Sequence, residues 1–112
     1  MRLSEELERK AHRIANHYGE VAQVDMLIEE MSELTKALLK NRRARHGQTD
    51  TPVRATVNAI EKEVADVMIM LTQIIYLGDF EDLEDIIEEK LDRQLERIER
   101  EKNNNKLVCY SN

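Results

Sequence analysis

Apolar positions recur at helical spacing in four blocks of this chain, separated by three breaks. In the first block Leu7, Ala11 and Ile14 form a narrow stripe behind Ser4, whose hydroxyl can cap a helix with Glu5 and Glu6 in its first turn. Gly19 interrupts or ends that helix. A second helix is predicted from about Ala22 to Arg42, and its basic end (Lys36, Lys40, Arg42, Arg43) suits the negative pole of the helix dipole. The stretch Gly47-Gln48-Thr49-Asp50-Thr51-Pro52 breaks the pattern. The third block, Val53 to Leu77, carries the widest stripe, with Ile60, Val64, Val67, Met68, Met70, Leu71, Ile74 and Ile75, and stops at Gly78. Asp79 to Glu81 can start a fourth helix lined by Leu83, Ile87, Leu91, Leu95 and Ile98.

This pattern predicts an all-α protein, a four-helix bundle with short connections. Residues 1–102 form a single helical domain, and residues 103–112, opening on Asn103-Asn104-Asn105, read as a frayed C-terminal tail whose Leu107, Val108 and Tyr110 could dock on a partner. A lone bundle of this size struggles to cover the third stripe, so a homo-oligomer, dimer or tetramer, is expected.

Two acidic motifs interrupt the apolar stripes. The first is Glu29-Glu30-Met31-Ser32-Glu33, the second Glu63-Val64-Ala65-Asp66. At about 100° per residue Glu30 falls between Leu27 and Leu34, and Glu63 falls among Ile60, Val67, Met70 and Ile74. Glu33 and Asp66 follow three residues later, about 60° round on each stripe's edge. Carboxylates that face a core must be paired, protonated or bound to a cation. Two helices packed face to face would offer four of them to a hard divalent ion. Oxygen-only donors suit Mg²⁺ or Mn²⁺ and are poor for zinc. Mg²⁺ commonly takes its remaining ligands from water and substrate phosphates, so the pattern points to phosphoryl chemistry. The bland alternative is a solvated face with pairs such as Glu33–Lys36 or Glu29–Lys36. It accounts for Glu29 and Glu33 and accounts poorly for Glu30 and Glu63.

Composition narrows the picture further. The chain has 112 residues with 17 basic and 23 acidic side chains, a net charge of −6. An acidic chain is a poor candidate for nucleic-acid binding. No stretch approaches the roughly 20 apolar residues of a membrane span. Val64 to Leu77 is the most apolar window but contains Thr72 and Gln73 and reads as a buried helix. No secretory core is evident at the N-terminus, so a cytoplasmic location is expected. The single Cys109 offers neither an internal disulfide nor a thiolate metal site. His12, His17 and His46 do not stand at E-x-x-H spacing with the acids, which disfavours a ferritin-like di-iron site.

The run His17-Tyr18-Gly19, then Gln23, then Glu29-Glu30-Met31-Ser32-Glu33-Leu34 resembles the front of MazG-like nucleotide pyrophosphohydrolases, the small phage-type members above all. Glu61 to Leu71 is similar to their second motif, and Ile86 to Arg97 to their closing helix; together the likeness spans about residues 12 to 98. The resemblance implies the MazG-like all-α NTP pyrophosphatase architecture. It also implies oligomers and Mg²⁺-dependent hydrolysis of nucleoside triphosphates, (d)NTP, to (d)NMP and pyrophosphate, a nucleotide-pool house-cleaning reaction. Carried onto this chain, Glu30, Glu33, Glu63 and Asp66 would be metal ligands. Glu29 and Glu33 would act on the water, and Lys90 and Arg93, with Arg97 a weaker candidate, would meet substrate phosphates. The alternative for Lys90 and Arg93 is a basic stripe paired with Glu89 and Glu96. The stretch from Glu33 to Glu63 is long for the family, and the extra length falls in the Arg-rich loop around Gly47 and Pro52. That loop (Arg42, Arg43, Arg45, His46, Arg54) could approach a triphosphate or simply be solvated. The rivals to an enzyme are a non-catalytic helical nucleotide-binding or protein-interaction module on the same scaffold, and a different metal-binding bundle.

Overall fold

A computed structural model describes residues 3–110, and the side chains of residues 3–106. The side chains of Leu107, Val108, Cys109 and Tyr110 therefore lie outside the described residues. The described residues form four α-helices and no strands: α1 (Glu5–Tyr18), α2 (Glu20–Arg45), α3 (Val53–Leu77) and α4 (Leu83–Tyr110). The all-α expectation holds. The chain divides into two compact units, Met1–Asp79 with α1 to α3, and Phe80–Asn112 with α4.

Within the first unit the termini follow the local chemistry. Ser4 caps α1, its hydroxyl oxygen accepting from the Leu7 N–H at 3.3 Å. Gly19 joins α1 to α2 alone, with φ 87° and ψ 168°, a region that residues with a Cβ rarely enter. Its N–H donates to the Ala15 carbonyl, closing α1, and its carbonyl accepts from Gln23 N–H, opening α2. Helix α2 thus starts at Glu20, two residues earlier than the pattern suggests, and ends at Arg45, three residues later. The last turn is held because Ala44 is buried and Arg45 Nε donates to Asn41 Oδ1 at 2.9 Å.

Helices α2 and α3 pack antiparallel. Gln23 Nε2 donates to Gln73 Oε1 at one end of the seam, and Asn41 Nδ2 donates to Thr56 Oγ1 at the other. Covered positions on α2 step alternately by four and three residues: Gln23, Leu27, Glu30, Leu34, Ala37, Asn41, Ala44. The matching set on α3 is Thr56, Ile60, Glu63, Val67, Met70, Ile74. This is the spacing of two helices keeping one side-chain row against each other over several turns. The seam is unusually polar: Gln23 and Asn41 pair across it with Gln73 and Thr56, whereas Glu30 and Glu63 meet without a hydrogen bond between them.

Helix α1 runs alongside α3 in the same direction, Leu3 and Leu7 lying near Ala65 and Met68, and Asn16 near Tyr76. Buried Ala11 and Ala15 allow close approach, the His12 ring stacks on Tyr76 with centroids 4.0 Å apart, and Asn16 Nδ2 donates to the Tyr76 hydroxyl at 3.0 Å.

In the second unit α4 continues through Asn103, Asn104 and Asn105 to Tyr110, where the polar run predicts a frayed tail. Its Ile86, Ile87, Leu91, Leu95 and Ile98 are exposed. Among the described residues no helix is long and apolar enough to cross a membrane.

Candidate metal centre

The helical period puts Glu30 and Glu63 on the packed faces of α2 and α3, and the antiparallel register then brings them to the same level. Carboxylate oxygens of Glu30, Glu63 and Asp66 all lie within 4.8 Å of one another. Glu30 and Glu63 are half-buried and Asp66 is exposed. Two helices therefore supply one compact group of acids, open to solvent on the Asp66 side.

The group is electrostatically uncompensated. Among the described residues, no Lys, Arg or His forms an ion pair with Glu30, Glu63 or Asp66. Burial raises the Glu30 carboxyl above its ordinary pKa, and repulsion from Asp66, Glu63, Glu29 and Glu33 adds to it. A cation would relieve that repulsion. The donors are oxygens only, the chemistry of Mg²⁺ or Mn²⁺.

The other residues singled out from the sequence fall differently. Glu33 stays outside the compact group; its Oε1 pairs with Lys36 Nζ at 3.5 Å, one helical turn along. Its charge still contributes to the field at Glu30. Glu29 is exposed beside Glu30 and does likewise. Lys90 and Arg93 are exposed on α4 in the second unit, and Arg93 pairs with Glu89 one turn before it, the solvated-stripe alternative.

A feature that pattern reading missed adjoins the acids. A cleft of about 660 Å³ is lined by Tyr18, Met26, Ile69 and the buried amides Gln23 and Gln73, among others. Met26 precedes Glu30 by one helical turn, and Ile69 follows Asp66 by nearly one turn, so cleft and acids are neighbours along both helices. Its walls are mostly apolar with a few polar groups, the make-up of a small-molecule receptacle. The sequence signal was present in Gln23 and Gln73 as polar residues within apolar stripes, but nothing in the chain said they would meet. No family model matches this chain, and neither does any curated protein or any solved structure.

Proposed function

We propose that this protein is a Mg²⁺-dependent nucleoside triphosphate pyrophosphohydrolase of the MazG-like kind, cleaving a (d)NTP to (d)NMP and pyrophosphate. The observation that carries the reading is the convergence of Glu30, Glu63 and Asp66 from two helices into one unpaired carboxylate group. Glu30, Glu63 and Asp66 would hold the ion, and Glu33, whose Oε1 meets Lys36, would join only by swinging toward them. When bound, Mg²⁺ neutralises charge on the phosphate oxygens and lowers the cost of bringing a triphosphate against an acidic surface.

The chain's own groups do the remaining work. Glu29 and Glu33 flank the cluster on α2, and their carboxylates are suited to accept a proton from the attacking water and to orient it. The neighbouring 660 Å³ cleft supplies apolar walls for a nucleoside, with Tyr18 at its rim and the Gln23–Gln73 amides at its back. Exposed apolar side chains on α3, among them Val64, Ile69, Leu71 and Ile75, support association into a homo-oligomer.

The test is a panel of deoxy- and ribonucleoside triphosphates with Mg²⁺, scored for pyrophosphate. At least one should be turned over, and Glu63→Gln should reduce its turnover by at least a hundredfold with far-ultraviolet circular dichroism unchanged. Full activity in Glu63→Gln refutes the site. Nucleotide binding without pyrophosphate release in either Mg²⁺ or Mn²⁺ would make the protein a non-catalytic module.

A further inference from the structure

The end of α2 and the start of α3 concentrate positive charge in a chain that is otherwise strongly acidic; the arginines expected in a loop lie on the helices, and the connection itself, residues 46–52, has no Lys or Arg. Residues 40–54 contain five Lys or Arg and one Asp, a net +4 in a chain of net −6. The structure folds part of this segment into a concavity. A cleft of about 370 Å³ lies between the end of α2 and the start of α3, lined by Lys40, Arg43, Thr49, Thr51 and Thr56, with alanines as the rest of its wall. No acid lines it. Among the described residues, neither Lys40 nor Arg43 has a carboxylate partner. A second cleft of about 430 Å³ shares Arg43 and adds Arg42 and His46.

The frame around the cleft is fixed before any ligand arrives. Thr56 is 4 % exposed; its hydroxyl accepts from Asn41 Nδ2 at 3.0 Å and donates to the Val53 carbonyl at 2.6 Å. Asn41 in turn accepts from Arg45. This chain of bonds ties the first turn of α3 to the last turns of α2. It also occupies Thr56, leaving the Thr49 and Thr51 hydroxyls as donors beside the two cations. Helix α3 has no acid in its first turn and no side-chain cap, so its N-terminal dipole adds to the same field.

We propose that this cleft binds the phosphate groups of a small anion of the pyrophosphate class, through Lys40 and Arg43 with the Thr49 and Thr51 hydroxyls. Exposed cations without counter-charges, set against hydroxyl donors in a small concavity, are the chemistry that recognises multiply charged phosphate. A polynucleotide is the poorer fit, because the cleft offers two cations and the chain as a whole is net acidic. The site is separate from the acidic group. The nearest wall residue, Ala59, is one helical turn from Glu63, whereas Lys40 lies ten residues, about 15 Å, along α2 from Glu30.

The experiment is calorimetric titration of the full chain with pyrophosphate in EDTA, which removes any divalent ion from the acidic group. Wild type should bind, and Lys40→Ala and Arg43→Ala should each weaken binding at least tenfold. Arg43→Lys should recover part of the loss, and circular dichroism should confirm that each variant is folded. Glu63→Gln should bind pyrophosphate as wild type does, so the outcome here is independent of whether the acidic group catalyses anything. Four results overturn the proposal: no binding to wild type at millimolar pyrophosphate; undiminished binding in both alanine variants; loss of binding in Glu63→Gln; or binding of sulfate and of short duplex DNA as tightly as pyrophosphate, which marks a generic basic surface.

Discussion

Replacing Glu30 with Gln tests the electrostatic core of the functional reading without relying on turnover. The substitution keeps the side chain's size and removes one charge from a group whose carboxylate oxygens lie within 4.8 Å of one another. At that separation two unit charges repel by about 3.5 kcal/mol at an effective dielectric of 20 and about 0.9 kcal/mol in water. Asp66 is exposed, which puts its pair at the screened end of the range, and the same figure is a lower bound for the half-buried Glu63 pair. Losing two repulsions of about 0.9 kcal/mol each should stabilise the ion-free protein by roughly 1–2 kcal/mol at pH 7.

The pH dependence follows from the raised Glu30 pKa. Between the ordinary carboxylate pKa and the raised one, the folded state holds more protons than the unfolded state. Stability from this group is therefore present at low pH and is lost as pH rises through the folded pKa. Urea unfolding in EDTA should show Glu30→Gln more stable than wild type at pH 7, with the difference shrinking toward pH 4. Adding Mg²⁺ should reverse the order, since ligation stabilises only the form that binds it. A Glu30→Gln protein that is less stable than wild type in EDTA at pH 7 would show that the Glu30 charge has a favourable partner. The idea of an uncompensated acidic group would then be wrong.

Two further outcomes probe the frame that holds the site. Gln23 and Gln73 are 4 % and 1 % exposed and bonded to each other, so Gln73→Leu alone should cost about 1–3 kcal/mol by stranding the Gln23 amide, whereas the double Leu variant should recover most of that loss; denaturant unfolding of the full cycle checks it, and an additive result argues against a coupled pair. Gly19→Ala should cost about 1–3 kcal/mol through backbone strain alone, since a Cβ there meets nothing within 4 Å while φ is 87°; an unchanged melting temperature would contradict this.

Much of the local structure is legible in the residues. Ser4 as a cap, Gly19 as a stop and Pro52 before α3 act as their chemistry dictates, while Gly78 ends α3 in extended backbone, φ −78° and ψ 152°, that does not call on glycine's freedom. Other features depend on contacts or small preferences that the apolar pattern does not carry. Helix α2 outruns its apparent end because Ala44 is buried and Asn41 holds Arg45. Helix α4 continues through three asparagines that disfavour helix only weakly. At the site, Glu30 and Glu63 were recognisable as acids inside apolar stripes. Spacing alone places Glu33 on the same side as Glu30, and in the structure its Oε1 meets Lys36 one turn along.

The amino-acid order by itself determines that there are helices, roughly where, and which face of each is apolar, because a period of 3.6 residues fixes directions within one helix. It cannot fix how far one helix slides along another. That register comes from the whole seam, from Gln23 against Gln73 to Asn41 against Thr56, and it alone sets Glu30 level with Glu63 and Asp66. The same packing opens the cleft beside the acids and sets Lys40 and Arg43 of α2 against the loop threonines in a concavity. Such groups are distant in sequence, and only tertiary contact decides whether they share a site.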